Sequence, residues 1–179
     1  MLDENRHHVA AGSYYIDTQK PMILEAYLGT CLGVAIYDPV AAVGGLIHLL
    51  LPEPMSIDGT FQPEKYASTG FPLFLQALAG AGAAVENMKA CIAGGALVGP
   101  LEDCDLELDI GGRTAERVMQ IIAAKGIRVD KLETGGFFTC SLTLDLRTWE
   151  CRIEPAVFDR LSASADIKIP EPDEISQSA

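Results

Sequence analysis

Cys31 and His48 are the two residues whose types suit covalent chemistry. A free cysteine is mostly the weakly nucleophilic thiol at neutral pH, and a neighbouring imidazole favours the thiolate as a thiolate–imidazolium pair. Between them, Asp38-Pro39-Val40-Ala41 reads as a turn joining two apolar runs. A hairpin centred between Pro39 and Val40 sets Cys31 directly opposite His48, and opposed residues point to one face with Cβ atoms about 4.5–5.5 Å apart. That separation suits a nucleophile and its base. A one-residue bulge would undo the register. Types and spacing alone leave open, and even favour, a plainer reading in which Cys31 is a small core thiol and His48 a satisfied polar residue on a strand.

The elements that must position this pair are mostly strands. Short β-branched or alternating runs, broken by Gly and Pro, predict strands over 8–16, 22–27, 32–37 and 45–51. A helix is predicted within 64–83, where Phe71, Phe74, Leu75 and Leu78 recur at helical spacing, with Gly70 and Pro72 complicating its start. A second helix is predicted over 114–125 from the stripe Val118, Ile121 and Ile122, closed by Lys125-Gly126. Strands return over 127–132, 138–145 and 149–153, the last two as a hairpin around Leu146-Arg147-Thr148. Two helices among many short strands, without regular β–α alternation, indicate an α+β layered sandwich of mixed or antiparallel sheet with the helices on one side. The chain reads as one domain over 1–161 followed by a small, polar, acidic tail over 162–179 that lacks the apolar content to order itself.

Composition narrows the function. A formal charge of −12 argues against nucleic acid or an anionic membrane surface as partner, since either needs clustered Lys and Arg. Apolar runs are interrupted well before the roughly 20 residues that span a bilayer. The first residues carry no basic or apolar leader pattern, which makes a cytoplasmic address the expectation. Five cysteines without a C-x-x-C pattern signal neither a disulfide framework nor a metal site. Cys104 lies among Glu102, Asp103, Asp105 and Glu107, which disfavour a thiolate, and Cys91 and Cys140 read as packing residues in apolar strands. His7 and His8 read as surface residues.

The segment Leu28-Gly29-Thr30-Cys31, its apolar continuation to Asp38-Pro39, and Gly44-Gly45-Leu46-Ile47-His48-Leu49-Leu50-Leu51-Pro52 together resemble the signature of the CheD family of chemoreceptor glutamine deamidases. Gly94-Gly95-Ala96, Ile110-Gly111-Gly112-Arg113 and Gly135-Gly136 follow in the family's order. The resemblance implies a protein-glutamine glutaminase that converts selected glutamines of methyl-accepting chemotaxis receptors to glutamate, with Cys31 as nucleophile and His48 as base. It implies Thr30, Gly94, Gly95, Arg113, Gly135 and Gly136 as substrate-binding residues, no metal or organic cofactor, and a CheC-type phosphatase as a regulatory partner.

Several positions depart from the family pattern, among them Leu97 and Thr114. Where relatives usually carry a threonine taken to orient the histidine, this chain has Glu25. On an unbroken strand Glu25 shares a face with Cys31 and accepts a hydrogen bond from the imidazole, completing a catalytic Cys-His-Glu set; the alternative is a solvent-facing edge glutamate. After Gly135-Gly136 the family's Gly-Arg is replaced by Phe137-Phe138-Thr139-Cys140. A competing reading follows from these changes: a CheD-like binding or regulatory protein of the chemotaxis apparatus with weakened catalysis.

Overall fold

A computed structural model describes residues 5–56, 58, 61–98 and 108–156. Among the described residues two sheets and two α-helices form three layers, an α+β arrangement. One sheet has five strands in the order β2-β5-β4-β6-β7: β2 (Ser13–Thr18), β5 (Val43–Leu49), β4 (Leu32–Asp38), β6 (Lys89–Gly94) and β7 (Arg128–Thr134). The other has four, β1-β3-β8-β9: β1 (Arg6–His8), β3 (Ile23–Leu28), β8 (Cys140–Asp145) and β9 (Glu150–Pro155). Both are mixed, with β1 parallel to β3 and β6 parallel to β7.

Every residue of β4 and β5 is buried. A strand covered on both faces reads as an unbroken apolar run, and here alternate residues serve different layers. Leu32, Val34 and Ile36 join Val43, Ile47 and Leu49 in a core capped by the helices α1 (Ala67–Gly80) and α2 (Ile110–Lys125). Ala35, Tyr37 and Leu46 face the other way, packing with Leu24, Leu28, Leu142 and Leu144 of the four-stranded sheet. Phe71 and Phe74 of α1 are fully buried, each contributing roughly 1.5–3 kcal/mol of transfer free energy. A side chain at Gly45 would meet the Phe74 ring at 2.9 Å, so the glycine on β5 makes room for that packing.

Several predicted boundaries move. The strand expected over 8–16 is two strands in different sheets, with the turn between them passing through Gly12 at φ 76°. The helix expected within 64–83 runs Ala67–Gly80 and continues through Pro72, preceded by a 3₁₀ turn at Pro63–Lys65. The second helix begins at Ile110 rather than at 114, because Asp109 caps it: its carboxylate accepts from the Gly112 amide at 3.1 Å. It ends at Gly126 in the left-handed conformation. The 162–179 tail and Cys104 lie outside the described residues. Among those described, no helix is long and apolar enough to cross a membrane.

Candidate functional site

The β4–β5 register differs from the predicted one. Gly33, not Cys31, stands opposite His48, and Asp38 stands opposite Val43. The loop therefore spans 39–42 and is shaped by Asp38, whose Oδ1 accepts from the amides of Val40 at 2.8 Å and Ala41 at 2.9 Å, with Ala42 at φ 56°. The shift is even, so parity is kept, and an odd slip alone would have turned the faces over. His48 and Cys31 accordingly serve the same layer, the one between the two sheets. Leu46, one pleat repeat from His48, belongs to the inter-sheet core, and Cys31 packs against it.

His48 is held from three directions. Its strand pairs with Gly33 on one side and Ser13 on the other, and its carbonyl accepts from the Gly12 amide at 2.8 Å. The ring Nδ1 lies 3.1 Å from the carbonyl oxygen of Val9. A carbonyl only accepts, so Nδ1 carries the proton and Nε2 presents its lone pair. The ring is 5% exposed and Nε2 has no hydrogen-bond partner. Burial pushes the imidazole below its ordinary 6.5, outweighing the Val9 carbonyl, and the nearby His8 adds to the lowering. The result is a neutral imidazole with a free basic nitrogen inside the protein.

Cys31 sits where the chain leaves one sheet for the other. β3 belongs to the four-stranded sheet and β4 to the five-stranded one, so Gly29-Thr30-Cys31 is the crossing. The Cys31 carbonyl accepts from the Gly95 amide at 2.8 Å and the Gly29 carbonyl from Ala96 at 2.9 Å, which clamps the crossing against the end of β6. A side chain at Gly94, which has φ 101°, would meet the Cys31 carbonyl oxygen at 2.3 Å. Only glycine allows this approach. Burial raises the Cys31 thiol above its ordinary 9.0, partly offset by a hydrogen bond from the Thr30 hydroxyl. Both shifts favour neutral forms, and no hydrogen bond joins the thiol to Nε2. The resting site therefore holds a thiol and an imidazole rather than the thiolate–imidazolium pair.

Four of the expected binding glycines gather here. Gly135 donates to the Gly94 carbonyl at 3.0 Å, Leu97 donates to the Gly136 carbonyl at 2.9 Å, and Gly95 abuts Gly111 at the start of α2, where a side chain on Gly111 would meet the Gly95 Cα at 2.6 Å. Thr30 is present through its hydrogen bond to the Cys31 sulphur. Arg113 is turned away, its guanidinium 3.7 Å from Glu53 on the exposed side of α2.

Glu25 does not join the set. Leu24, Ala26 and Leu28 of β3 point inward and are buried, which leaves Glu25 on the outer face of the four-stranded sheet. Its Oε1 accepts from Arg6 Nη1 at 2.9 Å, an ion pair beside β1. The parity argument that placed it with Cys31 required one continuous strand, and the sheet-to-sheet crossing at 29–31 removes that continuity. The orienting acceptor for the imidazole is instead the Val9 carbonyl. Nothing in a sequence marks a backbone carbonyl for this role. Cys140 was also underrated: its sulphur receives the Gly94 amide, which sets a second thiol beside the crossing, although burial and the Glu133 charge raise its pKa. Among the described residues no group of His, Cys, Asp and Glu is arranged to hold a metal ion.

A buried histidine with an open nitrogen and a thiol beside the glycine loops thus face the same layer between the two sheets. Residues 50–155 match the family model described as CheD chemotactic sensory transduction, and the chain belongs to that family. A probable chemoreceptor glutamine deamidase CheD of Desulforamulus reducens is 32% identical over 145 residues, covering 81% of this chain and 87% of its own. The protein of the same name in Haloarcula marismortui is 34% identical, covering 88% and 89%. That of Symbiobacterium thermophilum is 35% identical, covering 83% and 91%. Among solved structures, a hypothetical protein YfiH of Bacillus licheniformis shares 16% identity over 75% of this chain and 60% of that one, with a TM-score of 0.39, a likeness too loose to argue from.

Proposed function

We propose that this protein hydrolyses the side-chain amide of glutamines on chemoreceptor proteins, with Cys31 as nucleophile and His48 as general base and acid. Supporting the substrate class are the names carried by relatives that align along most of the chain. Supporting the chemistry is one observation above all: the buried His48 ring is fixed through Nδ1 and leaves Nε2 without a partner. Buried polar atoms are rarely left unpaired without a reason.

In this reading the Cys31 side chain turns from Thr30 toward Nε2, a tightening that often awaits substrate. Nε2 takes the thiol proton as Sγ bonds to the carboxamide carbon, giving a tetrahedral oxyanion. The imidazolium passes that proton to the amide nitrogen, the C–N bond breaks and ammonia leaves a γ-glutamyl thioester. Water then attacks the thioester while Nε2 takes its proton; the C–S bond breaks, the proton returns to sulphur, and glutamate is released. The net change is one water consumed and one ammonia formed, with no oxidation or reduction. In this reading the backbone amides at Thr30 and Cys31, where the chain crosses between sheets, serve as donors for the oxyanion.

The test is incubation with a chemoreceptor cytoplasmic fragment, following glutamine-to-glutamate conversion by mass spectrometry for the wild type and for Cys31→Ala. Conversion by the wild type alone is expected. Equal conversion by both would overturn the nucleophile assignment, and none by either would favour a binding protein.

A further inference from the structure

We propose that the polypeptide bearing the target glutamine is selected through its neighbouring residues: an apolar side chain seats against Phe137 and Phe138, and a lysine or arginine beside it meets the carboxylates that flank them. The proposal rests on the deamidase reading for its substrate and adds the sequence context that substrate must have.

Phe137 is 61% exposed and Phe138 76%, with Leu132 of β7 nearby at 47%. Single exposed apolar residues are ordinary, but adjacent exposed phenyl rings beside a site carry free-energy cost in water that a partner would remove. They do not belong to a slack loop. The preceding glycines are tied to the site by the Gly135–Gly94 and Leu97–Gly136 hydrogen bonds, so the segment that carries the rings is anchored where it begins.

The Gly135-Gly136 ridge separates two grooves. One, of about 470 Å³, is lined by Phe137 with Gly95, Leu97, Leu132 and Met119. The other, of about 270 Å³, is lined by Phe138 with Gly94, Cys140 and Ile153. The first groove thus touches Gly95, whose amide holds the Cys31 carbonyl, and the second touches Gly94, which packs against that carbonyl. Every charged residue lining them is acidic: Asp109 and Glu116 in the first, Glu133 and Glu154 in the second. No Lys, Arg or His among the described residues lines either one. Aromatic side chains anchor polypeptide contacts, and single-sign charge around them selects partners of the opposite sign. An acidic flank repels an acidic segment and favours a cationic one. The occupant is thus a peptide segment both apolar and basic close to its glutamine.

Three peptides sharing one central glutamine test this: flanks of Leu and Lys, of Leu and Glu, and of Ser and Lys. Binding is read by fluorescence anisotropy with full-length Cys31→Ala protein, and conversion by mass spectrometry with the wild type. The Leu/Lys peptide is expected to bind about tenfold more tightly than either other one, the size of a modest anchor contribution. The double variant Phe137→Ser, Phe138→Ser should erase the advantage of Leu over Ser. Glu133→Lys with Glu154→Lys, both on the surface, should reverse the preference for Lys over Glu even if the phenylalanine variant folds poorly. Equal affinities for the three peptides, or an unchanged order after charge reversal, would overturn the proposal. Ordered binding without conversion would sink the deamidase reading and leave the docking surface standing. Conversion without ordered binding would do the reverse.

Discussion

The two ends of the β4–β5 hairpin treat a buried polar side chain in opposite ways. At the turn, Asp38 is fully buried, and its carboxylate accepts from the amides of Val40, Ala41 and Ala84. Burial alone would raise its pKa, yet those amides, with Asn87, bring it below the ordinary 3.8. At the open end, His48 is nearly as buried, but only one ring nitrogen is engaged, and burial governs its shift. The same pair of strands thus carries a polar group whose bonding shapes a loop and another whose bonding is left half open. A saturated buried group stabilises structure; an unsaturated one is available for chemistry.

Removing the chemistry at one end should cost activity without fold. Cys31→Ala is expected to lower kcat/KM for glutamine conversion by at least about 10³-fold while shifting stability by less than about 1 kcal/mol, since a half-buried thiol is replaced by a smaller apolar group. Asp38→Ala should do the converse, lowering unfolding free energy by about 2–4 kcal/mol because buried amides lose their acceptor. Turnover per folded molecule should stay near the wild-type value in that variant. Denaturant unfolding beside single-turnover kinetics checks both, and the contrast fails if Asp38→Ala abolishes turnover in protein that remains folded.

Acid separates the two ends next. A histidine whose folded pKa lies below its unfolded value binds protons more readily when unfolded, so stability is present above about pH 6.5 and is lost as pH falls below it. Asp38, also depressed, contributes above its ordinary 3.8 and loses that contribution as pH falls through its lower folded value. Thermal denaturation against pH should therefore show a first decline beginning near 6.5 that His48→Gln removes, and a second below about 3.8 that Asp38→Asn removes. The kcat/KM profile should fall on the acid side with a midpoint below 6.5, because the reaction begins from the neutral imidazole. A resting thiolate–imidazolium pair would instead put a depressed thiol ionisation on the acid limb and the loss of the imidazolium proton on the alkaline limb.

The parts of this arrangement legible in the sequence were those that side chains announce. Apolar period and turn residues gave the β-rich first third, the α+β layering and the second helix, and glycine pairs marked positions where backbones approach closely, as at Gly94. The register was misjudged because a single carboxylate, Asp38, sets the loop length by bonding two successive amides, and dipeptide turn preferences do not carry that. The early start of α2 was hidden by Gly111 and Gly112, which count against a helix locally, but Gly111 is needed where α2 meets Gly95 and Gly112 where it meets the capping Asp109 carboxylate. Most opaque was the support of His48. It comes from a main-chain carbonyl at Val9, on a segment crossing from β1 in one sheet to β2 in the other, and carbonyls are identical at every residue.

That last point yields the smallest expected effect. If Glu25 oriented the imidazole, Glu25→Thr would change kcat and move the acid limb. Its carboxylate instead engages Arg6 on the outer face of the four-stranded sheet, while Val9 serves His48. An ion pair near the surface is worth up to about 1 kcal/mol. Replacing Glu25 by threonine should lower stability by no more than that, and threonine suits a strand position paired with Thr143. The pH–rate profile should superimpose on that of the wild type, and the His48 ring in ¹⁵N NMR should keep a protonated Nδ1 and an unprotonated Nε2. A change of tautomer or a shifted acid limb in Glu25→Thr would place the carboxylate back in the site. An unchanged ring would leave the N-terminal crossing as the element that aims the base.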